Sequence, residues 1–561
     1  MGADYQRLKK ILDIPKAARW LVRDCEDEFF PDTLNFADVA AKLTDYLEQR
    51  QHRYLQIDSF TAVRDFVPKS NGMLREAVWL HPVHRLLYLA TLHYLLPKLD
   101  HHIPSEVYSY RLDSDDQDGY PFGKRLERWK DFHNDFRRAC LDEQTGAVLI
   151  TDIASFYDHI RVEDLSSRIR LMLGAGMNED DRAVVDFLQS LMLQWSTSGY
   201  GIPQNIDPSS FYGSLYLSGV DHEIIQKRYK YFRWVDDIRI CARNKKQALR
   251  ALHDLQESLS HHRMFLASDK TKIVVRGTPE FDELVDVEDD AYISNVEDMI
   301  ARGGRKEIEA AIPEIFRRLA IQASPGGDDR KFRAYANRAL QIGEFQEFSE
   351  SVIDQLVPFV VSRMESHPNR SDYWTKLLQS APEGAWLSMA QRLLINDASV
   401  YNWQRFYVWK LLIARPQISD ELMNFALSTA MSPVSDLEAA QAIVCYGKHA
   451  NNQQREALYA QHFSPQKPYP IQRAILIAIQ EIHPEVRGRL YKRAITQCPE
   501  HTQLVQYLEE LESPKYGISK RAVRQLPEQP REIETAIARG IGMANGVVVQ
   551  YRLSRRDYDY D

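Results

Sequence analysis

Two adjacent aspartates, Asp236 and Asp237, interrupt an alternating apolar stretch that runs from Tyr231 to Ile240. The residues on either side predict two short β-strands joined at this Asp-Asp corner. Two-residue hairpin turns favour Asn-Gly, Asp-Gly or Gly-Gly, because their central residues need a positive φ. The pair supplies no glycine and adds like-charge repulsion, and a broken local rule of this kind indicates a functional site. Two carboxylates at a hairpin tip predict a site for a divalent cation such as Mg²⁺, with an exposed acidic turn as the alternative.

A third carboxylate stands at the end of an apolar run upstream. The run from Ala147 to Ile150 predicts a fully buried central strand, and Asp152 lies where that strand ends. Neighbouring strands would bring Asp152 next to Asp236 and Asp237. Three carboxylates at adjacent strand ends repel one another unless a cation lies between them. The sequence therefore predicts that these three residues share a metal site.

Several cationic or polar turns accompany these acidic positions. A Ser-Asn-Gly turn between Lys69 and Arg75 predicts a hairpin with both cations on its arms. Such a pair could clamp a triphosphate, Lys as a point charge and Arg as a bidentate fork; solvated surface cations are the alternative. The turn at Gly201 to Gln204 precedes a helix N-terminus suited to an anionic ligand. Lys270 opens the last predicted strand.

Composition restricts the class of protein. A formal net charge of −8 over 561 residues argues against a protein that coats nucleic acid, although it allows a local basic channel. Five scattered cysteines without a C-x-x-C pair exclude cysteine-rich zinc modules and a disulfide framework. No signal pattern and no bilayer-length apolar run are present. We therefore expect a cytoplasmic protein that is not associated with a membrane.

The second half reads as a series of helices. Residues 276–300 are acidic and rich in turn residues, and helix-length segments separated by short Pro, Gly, Ser or Asn breaks follow them. Their spacing predicts antiparallel helix pairs stacked as an irregular, HEAT-like α-solenoid. The predicted helices include Ala311–Ala323, Ser351–Glu365, Ala385–Leu394, Val400–Ala414, Asp420–Thr429, Ser435–Lys448 and Ile471–His483. Trp386, Trp403, Phe406 and Trp409 are interpreted as core residues between helices, with a nucleotide-base box as the alternative.

Taken in order, these motifs resemble the fingers and palm of reverse transcriptases. The match consists of five segments over some two hundred residues: Pro68-Lys69 with Gly72 and Arg75, Asp152-Ile153 with Phe156-Tyr157-Asp158, Gly201-Ile202-Pro203-Gln204, Phe232-Arg233-Trp234-Val235-Asp236-Asp237 and Ser268-Asp269-Lys270-Thr271-Lys272. The sequence departs from the family pattern in two of these segments. Trp234-Val235 stands where the family usually has Tyr followed by a small residue or Met, and Asn205 stands where a Gly usually follows the Gln.

The resemblance implies nucleotidyl transfer with two Mg²⁺ or Mn²⁺ ions. Asp152, Asp236 and Asp237 would hold the ions, and Ile153 belongs to the implied metal and nucleotide site. Two metal ions in such a site activate the attacking hydroxyl and stabilise the leaving pyrophosphate. The resemblance thus gives the predicted carboxylate site a chemical role.

The same resemblance assigns the nucleotide contacts. Lys69 and Arg75 would grip the triphosphate, and Lys270 would supply a proton or charge to the leaving group. Gln204 would contact the nucleotide or template. Tyr157 stands where the family has a bulky sugar gate, so a clash with a 2′-hydroxyl would favour deoxynucleotides.

The helical second half makes the whole chain resemble abortive-infection (Abi) polymerases of the AbiK-like, prophage-borne type. That family implies antiphage defence in a bacterial cytoplasm, DNA synthesis without a template, and priming from a tyrosine, with Tyr5, Tyr46 and Tyr54 as candidates. It also implies single-stranded DNA attached to the protein and a homo-oligomer, a trimer or hexamer. A templated, retron-like reverse transcriptase and a non-catalytic helical scaffold remain the alternatives.

The predicted fold class is an α+β reverse-transcriptase fingers and palm followed by an all-α, HEAT-like domain. The predicted domains are an N-terminal helical extension packed on the fingers (1–64), the fingers and palm (65–285), the helical repeats (286–525) and a C-terminal tail (526–561).

Overall fold

A computed structural model describes residues 5–517, apart from 26–27, 43–61, 114–120, 124, 287–291, 293–294, 297–298, 300–304, 325–326, 328, 344–349, 380, 382–383, 385 and 432. The strands are β1 Val63–Pro68, β2 Leu74–Trp79, β3 Ala147–Asp152, β4 Lys230–Trp234, β5 Asp237–Ala242 and β6 Lys272–Val275. The helices are α1 Tyr5–Ile11, α2 Ile14–Asp24, α3 Ala37–Ala41, α4 Pro82–Leu99, α5 Arg125–Leu141, α6 Val162–Leu173, α7 Glu179–Trp195, α8 Asp207–Gln226, α9 Lys245–Ser260, α10 Pro279–Val285, α11 Arg305–Ala323, α12 Asp329–Gly343, α13 Glu350–Ser366, α14 Ser371–Leu378, α15 Leu387–Leu394, α16 Asn402–Ile413, α17 Asp420–Met431, α18 Asp436–His449, α19 Asn452–His462, α20 Tyr469–Ala478, α21 Pro484–Gln497 and α22 Thr502–Glu510.

Four antiparallel strands form the palm sheet in the order β4-β5-β3-β6. The apolar run of β3 lies between β5 and β6, and its residues Ala147, Val148 and Leu149 are completely buried, as expected for a central strand. Helices α8 and α9 pack beside the sheet and bury apolar side chains in the same core. The packed sheet therefore supports the residues at the ends of β3 and β5.

The fingers region is the β1–β2 hairpin, followed by α4. Its strands pair antiparallel with Val67 opposite Arg75 and Pro68 opposite Leu74. The N–H of Gly72 donates to the carbonyl of Lys69 at 3.0 Å, and the φ of Gly72 is 80°. Glycine adopts this left-handed conformation without a steric penalty, so the tight turn forms where the sequence predicts it.

The second half is helical, as predicted. Helices α14, α16, α18 and α20 pack in succession, each on the next, while α17 packs against α18 and α19 against α20. Contact between alternate helices is the arrangement expected for stacked helix pairs. The predicted helix bounds agree to within two residues, except that α11 begins at Arg305 rather than at Ala311 and α20 ends at Ala478 rather than at His483. Trp386, Trp403, Phe406 and Trp409 are all buried, which confirms their interpretation as core residues.

Residues 28–42 connect the fingers to the helical region. The indole N–H of Trp403 donates to the carbonyl of Phe29 at 2.7 Å. Arg473 of α20 makes four hydrogen bonds to the carboxylates of Asp32 and Asp38. The N-terminal segment thus contributes to both large apolar clusters, one centred on the palm and fingers and one on the helices.

The fingers hairpin also touches the helical region directly. Asp65 of β1 is buried and accepts hydrogen bonds from Asn402 at 3.3 Å and from the hydroxyl of Ser435. The backbone N–H of Phe66 donates to the same carboxylate at 2.7 Å. Because these donors satisfy the buried carboxylate, the hairpin is held against α16 and the start of α18.

None of the helices in the described part of the chain combines the length and apolar composition needed to cross a membrane.

Candidate active site

The hairpin that carries the paired aspartates turns one residue earlier than the sequence predicted. Trp234 pairs with Asp237, so the two central turn residues are Val235 and Asp236, and Asp237 begins β5. Val235 has a φ of 50°, a conformation that β-branched residues rarely adopt. Such a conformation costs about 1–3 kcal/mol and persists only where the surroundings impose it. The predicted Asp236-Asp237 corner is therefore wrong in position, whereas the predicted backbone conflict is present at Val235.

The three predicted carboxylates converge at one end of the palm sheet. Asp152 and Asp237 are directly opposed residues of β3 and β5. The backbone N–H of Ile153 donates to the carbonyl of Asp236 at 3.2 Å, which ties the turn to the end of β3. Asp236 thus lies beside the opposed Asp152 and Asp237, although it follows Asp152 by 84 residues in the sequence.

Burial and mutual repulsion act on these carboxyl groups. Burial, followed by the charge of Asp152, raises the pKa of Asp236 to about 7. Burial also raises the pKa of Asp152, and Asp237 adds to the rise while Lys270 opposes it. Carboxylates close together in a partly dehydrated site favour the binding of a cation, since the cation removes their repulsion.

Two cationic side chains pair with Asp152 and Asp237. The ammonium group of Lys270 donates to Asp152 at 2.8 Å, and the guanidinium of Arg239 pairs with Asp237 at 2.9 Å. Burial disfavours the charged form of Lys270, but the pair with Asp152 outweighs this effect, so the pKa of Lys270 is raised. In the described structure, Lys270 therefore contacts a carboxylate that the sequence assigned to metal binding.

The residues fit a divalent ion that prefers oxygen ligands. Asp152, Asp236 and Asp237 supply carboxylate oxygens, and none of the described residues donates a hydrogen bond to the backbone carbonyl of Ile153. This carbonyl is thus available as a further ligand. Burial of the site would strengthen binding, because water competes less for a partly buried ion.

A second group of side chains with the spacing of metal ligands lies on α9. Among the described residues, His253, Asp254 and Glu257 of α9 place one ligand atom each within 4.8 Å of the others. The three palm carboxylates do not meet this spacing, consistent with two of them facing Lys270 and Arg239. Asp254 is already paired with Lys227 at 3.0 Å, so the α9 group is explained by surface charge pairing.

The fingers hairpin brings Lys69 and Arg75 toward the palm. Lys69 is close enough to lower the pKa of Asp158, which burial and Glu76 raise. Arg75 is close enough to oppose the raised pKa of Lys270, and its guanidinium lies 5.6 Å from the ring centre of Phe29. The charge of Lys69 thus acts on Asp158 and that of Arg75 on Lys270, while their contact with a nucleotide stays a prediction.

Tyr157 and the turn that contains Gln204 lie next to each other. Tyr157 is buried, and its hydroxyl shares a 3.0 Å hydrogen bond with Ser210. Burial raises the pKa of Tyr157, and Asp236 is near enough to contribute. The N–H of Ile202 donates to the carbonyl of Tyr157 at 3.2 Å, which fixes the turn that contains the half-buried Gln204. Asn205 has a φ of 66°, a conformation that Asn tolerates better than most residues, so it can replace the usual glycine.

Two arginines of the site were missed by sequence reasoning. Arg239 lies two residues after Asp237 and stacks on Phe132 and Phe136, at 4.7 and 4.8 Å from their ring centres. Arg233 is completely buried beneath the Val235 turn. Arg233 and Tyr231 are two residues apart in β4, and both face inward. A charged residue at an inward-facing position indicates a buried partner.

Residues 87–308, less than half of the chain, match the family model of reverse transcriptase (RNA-dependent DNA polymerase). No curated protein matches the chain. Among solved structures, the chain is similar to telomerase from Candida albicans in complex with a fragment of telomeric RNA, at 9% identity and a TM-score of 0.29, over 66% of this chain and 68% of that one. A likeness at this TM-score has no bearing on function.

The family match spans β3 to β6 and every palm residue considered above. The strand arrangement, the opposed aspartates and this match agree with one another. The chain therefore carries a reverse-transcriptase-type polymerase domain, followed by a helical C-terminal region.

Proposed function

We propose that this protein is a DNA polymerase that transfers deoxynucleotidyl groups with two divalent ions, Mg²⁺ or Mn²⁺. The observation that carries the proposal is the convergence of Asp152, Asp236 and Asp237 at one end of the palm sheet. These residues, with the carbonyl of Ile153, would hold the ions. Bound there, the ions would supply charge stabilisation for both the attacking and the leaving oxygen.

The remaining residues would bind and orient the nucleotide. Lys69 and Arg75 would hold the triphosphate from the fingers side, because Arg can form paired hydrogen bonds to phosphate and Lys adds a point charge. Gln204 would contact the nucleotide or template from its turn. Lys270 would move from Asp152 to the leaving group when the carboxylate is taken up by metal coordination.

We expect replacement of Lys270 by methionine to tighten Mn²⁺ binding and to slow incorporation. Lys270 competes with a metal for Asp152, but this pair is partly exposed and is worth less than about 1 kcal/mol, so the gain in affinity should be only severalfold. Isothermal titration with Mn²⁺ and single-turnover incorporation would measure the two effects. Lys272→Met is the matched control, because Lys272 is exposed two residues further along. Equal binding by both variants would contradict the competition.

We expect Tyr157→Ala to reduce the preference for deoxynucleotides over ribonucleotides. Differences in the fit of one small group give about 10- to 200-fold discrimination, and removing the ring should forfeit most of it. The ratio of dNTP to rNTP incorporation, measured in one preparation, does not depend on the folded fraction. Tyr157→Phe keeps the ring and loses only the hydroxyl that contacts Ser210, so it should retain the preference. A similar loss in both variants would exclude a steric gate.

The finer part of this proposal has five elements: template-independent synthesis, priming from a tyrosine, a covalent single-stranded DNA product, a homo-oligomer and an antiphage role. Their support is the resemblance to Abi polymerases, together with the large helical region behind the palm. Of the candidate primers, Tyr5 begins α1, whereas Tyr46 and Tyr54 lie outside the described residues. A templated enzyme and a non-catalytic scaffold are the competing functions, and the three convergent carboxylates favour an enzyme over the scaffold.

The test uses purified protein, Mg²⁺ or Mn²⁺ and labelled dNTPs without template or primer, with the products run on a denaturing gel before and after protease. Label that migrates with the protein and shifts on proteolysis is the expected result. Label that appears only with an added RNA template and primer would establish the templated enzyme instead. Absence of label under both conditions would contradict the polymerase proposal.

A further inference from the structure

The strained Val235 turn rests on a buried ion pair. Arg233, completely buried, donates from one terminal nitrogen to the carbonyl of Val235 at 2.7 Å. Its other two nitrogens donate to both carboxylate oxygens of Asp221, at 2.7 and 2.6 Å. Asp221 is equally buried and also accepts from the hydroxyl of Tyr231 at 2.7 Å. The guanidinium is thus fixed in one orientation, with the terminal nitrogen that does not contact Asp221 directed at the turn.

The other side of Val235 is held as well. Its backbone N–H donates to the hydroxyl of the buried Ser109 at 2.9 Å. The strand containing Arg233 fixes the Ser109 segment, because the N–H of Tyr108 donates to the Arg233 carbonyl at 3.1 Å and the N–H of Arg233 donates to the Glu106 carbonyl at 2.9 Å. Both polar backbone groups of Val235 therefore have side-chain partners outside the turn itself, Arg233 of β4 and Ser109.

We propose that Arg233, together with Asp221 and Ser109, is a positioning residue that imposes the left-handed conformation of Val235 and so places the carboxyl group of Asp236 beside Asp152. This proposal rests on the proposed polymerase function, since it assigns Asp236 to metal binding. Rotation of Val235 out of this conformation redirects the peptide that leads into Asp236. The buried pair thereby acts on the reaction through the turn, without touching nucleotide or metal.

The geometry distinguishes this role from packing alone. A side chain that only filled the core would need neither a charge nor a hydrogen bond to the turn, and a buried charge is costly unless it is paired. Here the contact of Arg233 with Val235 joins the pair to the one turn residue whose backbone is strained. Because glycine adopts positive φ without a Cβ clash, glycine at position 235 should make the imposed conformation unnecessary.

The test is a rescue experiment with four proteins: the natural protein, Asp221→Asn/Arg233→Met, Val235→Gly, and the triple variant. The paired substitution removes both buried charges together, so that neither is left uncompensated. We expect it to weaken Mn²⁺ binding and to lower kcat by about a hundredfold, the loss typical of a displaced reacting group, with KM for dNTP changed less. Addition of Val235→Gly should restore at least tenfold of that loss, whereas Val235→Gly alone should change little.

A matched control separates positioning from general destabilisation. In the helical region the buried Arg455 pairs with the half-buried Glu481, and Arg455 likewise donates to a backbone carbonyl, that of Gly447. Arg455→Met/Glu481→Gln should leave Mn²⁺ affinity unchanged, and Val235→Gly should not improve it. Failure of Val235→Gly to restore Mn²⁺ affinity in the triple variant, or an equal loss in the helical control, would overturn the proposal.

Mn²⁺ affinity keeps this test independent of activity. If the natural protein binds Mn²⁺ at a site abolished by Asp236→Asn but incorporates no nucleotide, the polymerase proposal fails while the positioning role can still be measured. If incorporation is present and the rescue is absent, the positioning role alone fails.

Discussion

Asp236→Asn is expected to reduce deoxynucleotide incorporation by at least about a thousandfold, because a metal ion supplies several kcal/mol of charge stabilisation to such a reaction. Asparagine has nearly the shape of aspartate, so the Val235 turn should keep its hydrogen bonds. The substitution also removes a charge that burial and Asp152 disfavour. We therefore expect the melting temperature, measured without metal, to stay level or to rise while activity is lost.

The matched control for this prediction is Asp186→Asn. Asp186 is an exposed aspartate of α7 that pairs with Arg170 on the surface, away from the palm sheet. This variant should retain full incorporation and Mn²⁺ affinity. Incorporation by Asp236→Asn at more than one tenth of the natural rate would remove Asp236 from the proposed metal site.

Arg473→Met is expected to destabilise the protein by about 3–5 kcal/mol, since it leaves a buried carboxylate pair without its cation. Arg473 is almost completely buried and bonds Asp32 and Asp38 at 2.5 to 3.0 Å. Urea denaturation followed by tryptophan fluorescence would measure the loss, which should appear as a lower midpoint for the helical region.

A surface arginine of the next helix provides the control. Arg489→Met of α21 removes an exposed cation and should change stability by less than about 0.5 kcal/mol. Addition of Asp32→Asn and Asp38→Asn to Arg473→Met should recover part of the loss, because the buried charges are then gone. Equal unfolding curves for Arg473→Met and Arg489→Met would show that the contact with the N-terminal segment contributes nothing.

The palm could be predicted from the sequence because its strands have strong local patterns. The apolar run before Asp152 and the alternation around Asp236 each indicate a strand, and a central strand beside a hairpin places Asp152 near Asp237. The fingers turn at Gly72 was also predictable, since a Ser-Asn-Gly sequence supplies its left-handed residue. The nucleotide contacts proposed for Lys69, Arg75, Tyr157, Gln204 and Lys270 stay predictions.

The exact turn residues could not be predicted, because the contacts of Val235 come from buried side chains that turn preferences do not include. Turn preferences place the left-handed residues at Asn, Asp or Gly, whereas Val235 has that conformation here and is held by hydrogen bonds to Ser109 and Arg233. Ser109 lies 126 residues before its partner. The pairing of Arg239 with Asp237 could have been predicted, because residues two apart in a strand share one face, whereas the stacking of Arg239 on Phe132 and Phe136 of α5 could not.

The cysteines show the same limitation. Their wide spacing indicated no pairing, and the described cysteines are indeed free thiols. Nevertheless the sulfur atoms of Cys140 and Cys241 lie 3.9 Å apart, because the end of α5 packs on β5. Two residues that are far apart in the sequence can therefore lie close together where a helix packs on a sheet.

The attachment of the fingers hairpin at Asp65 has a thermodynamic consequence. The hairpin that carries Lys69 and Arg75 cannot change its position without breaking the bonds to Asn402 and Ser435 or carrying α16 and α18 with it. Under the proposed function, a ligand of the helical region that prefers one hairpin position changes the affinity of the hairpin for a triphosphate by some factor. By linkage, the triphosphate changes the affinity for that ligand by the same factor. The helical region and the proposed triphosphate contacts of the hairpin are therefore energetically coupled.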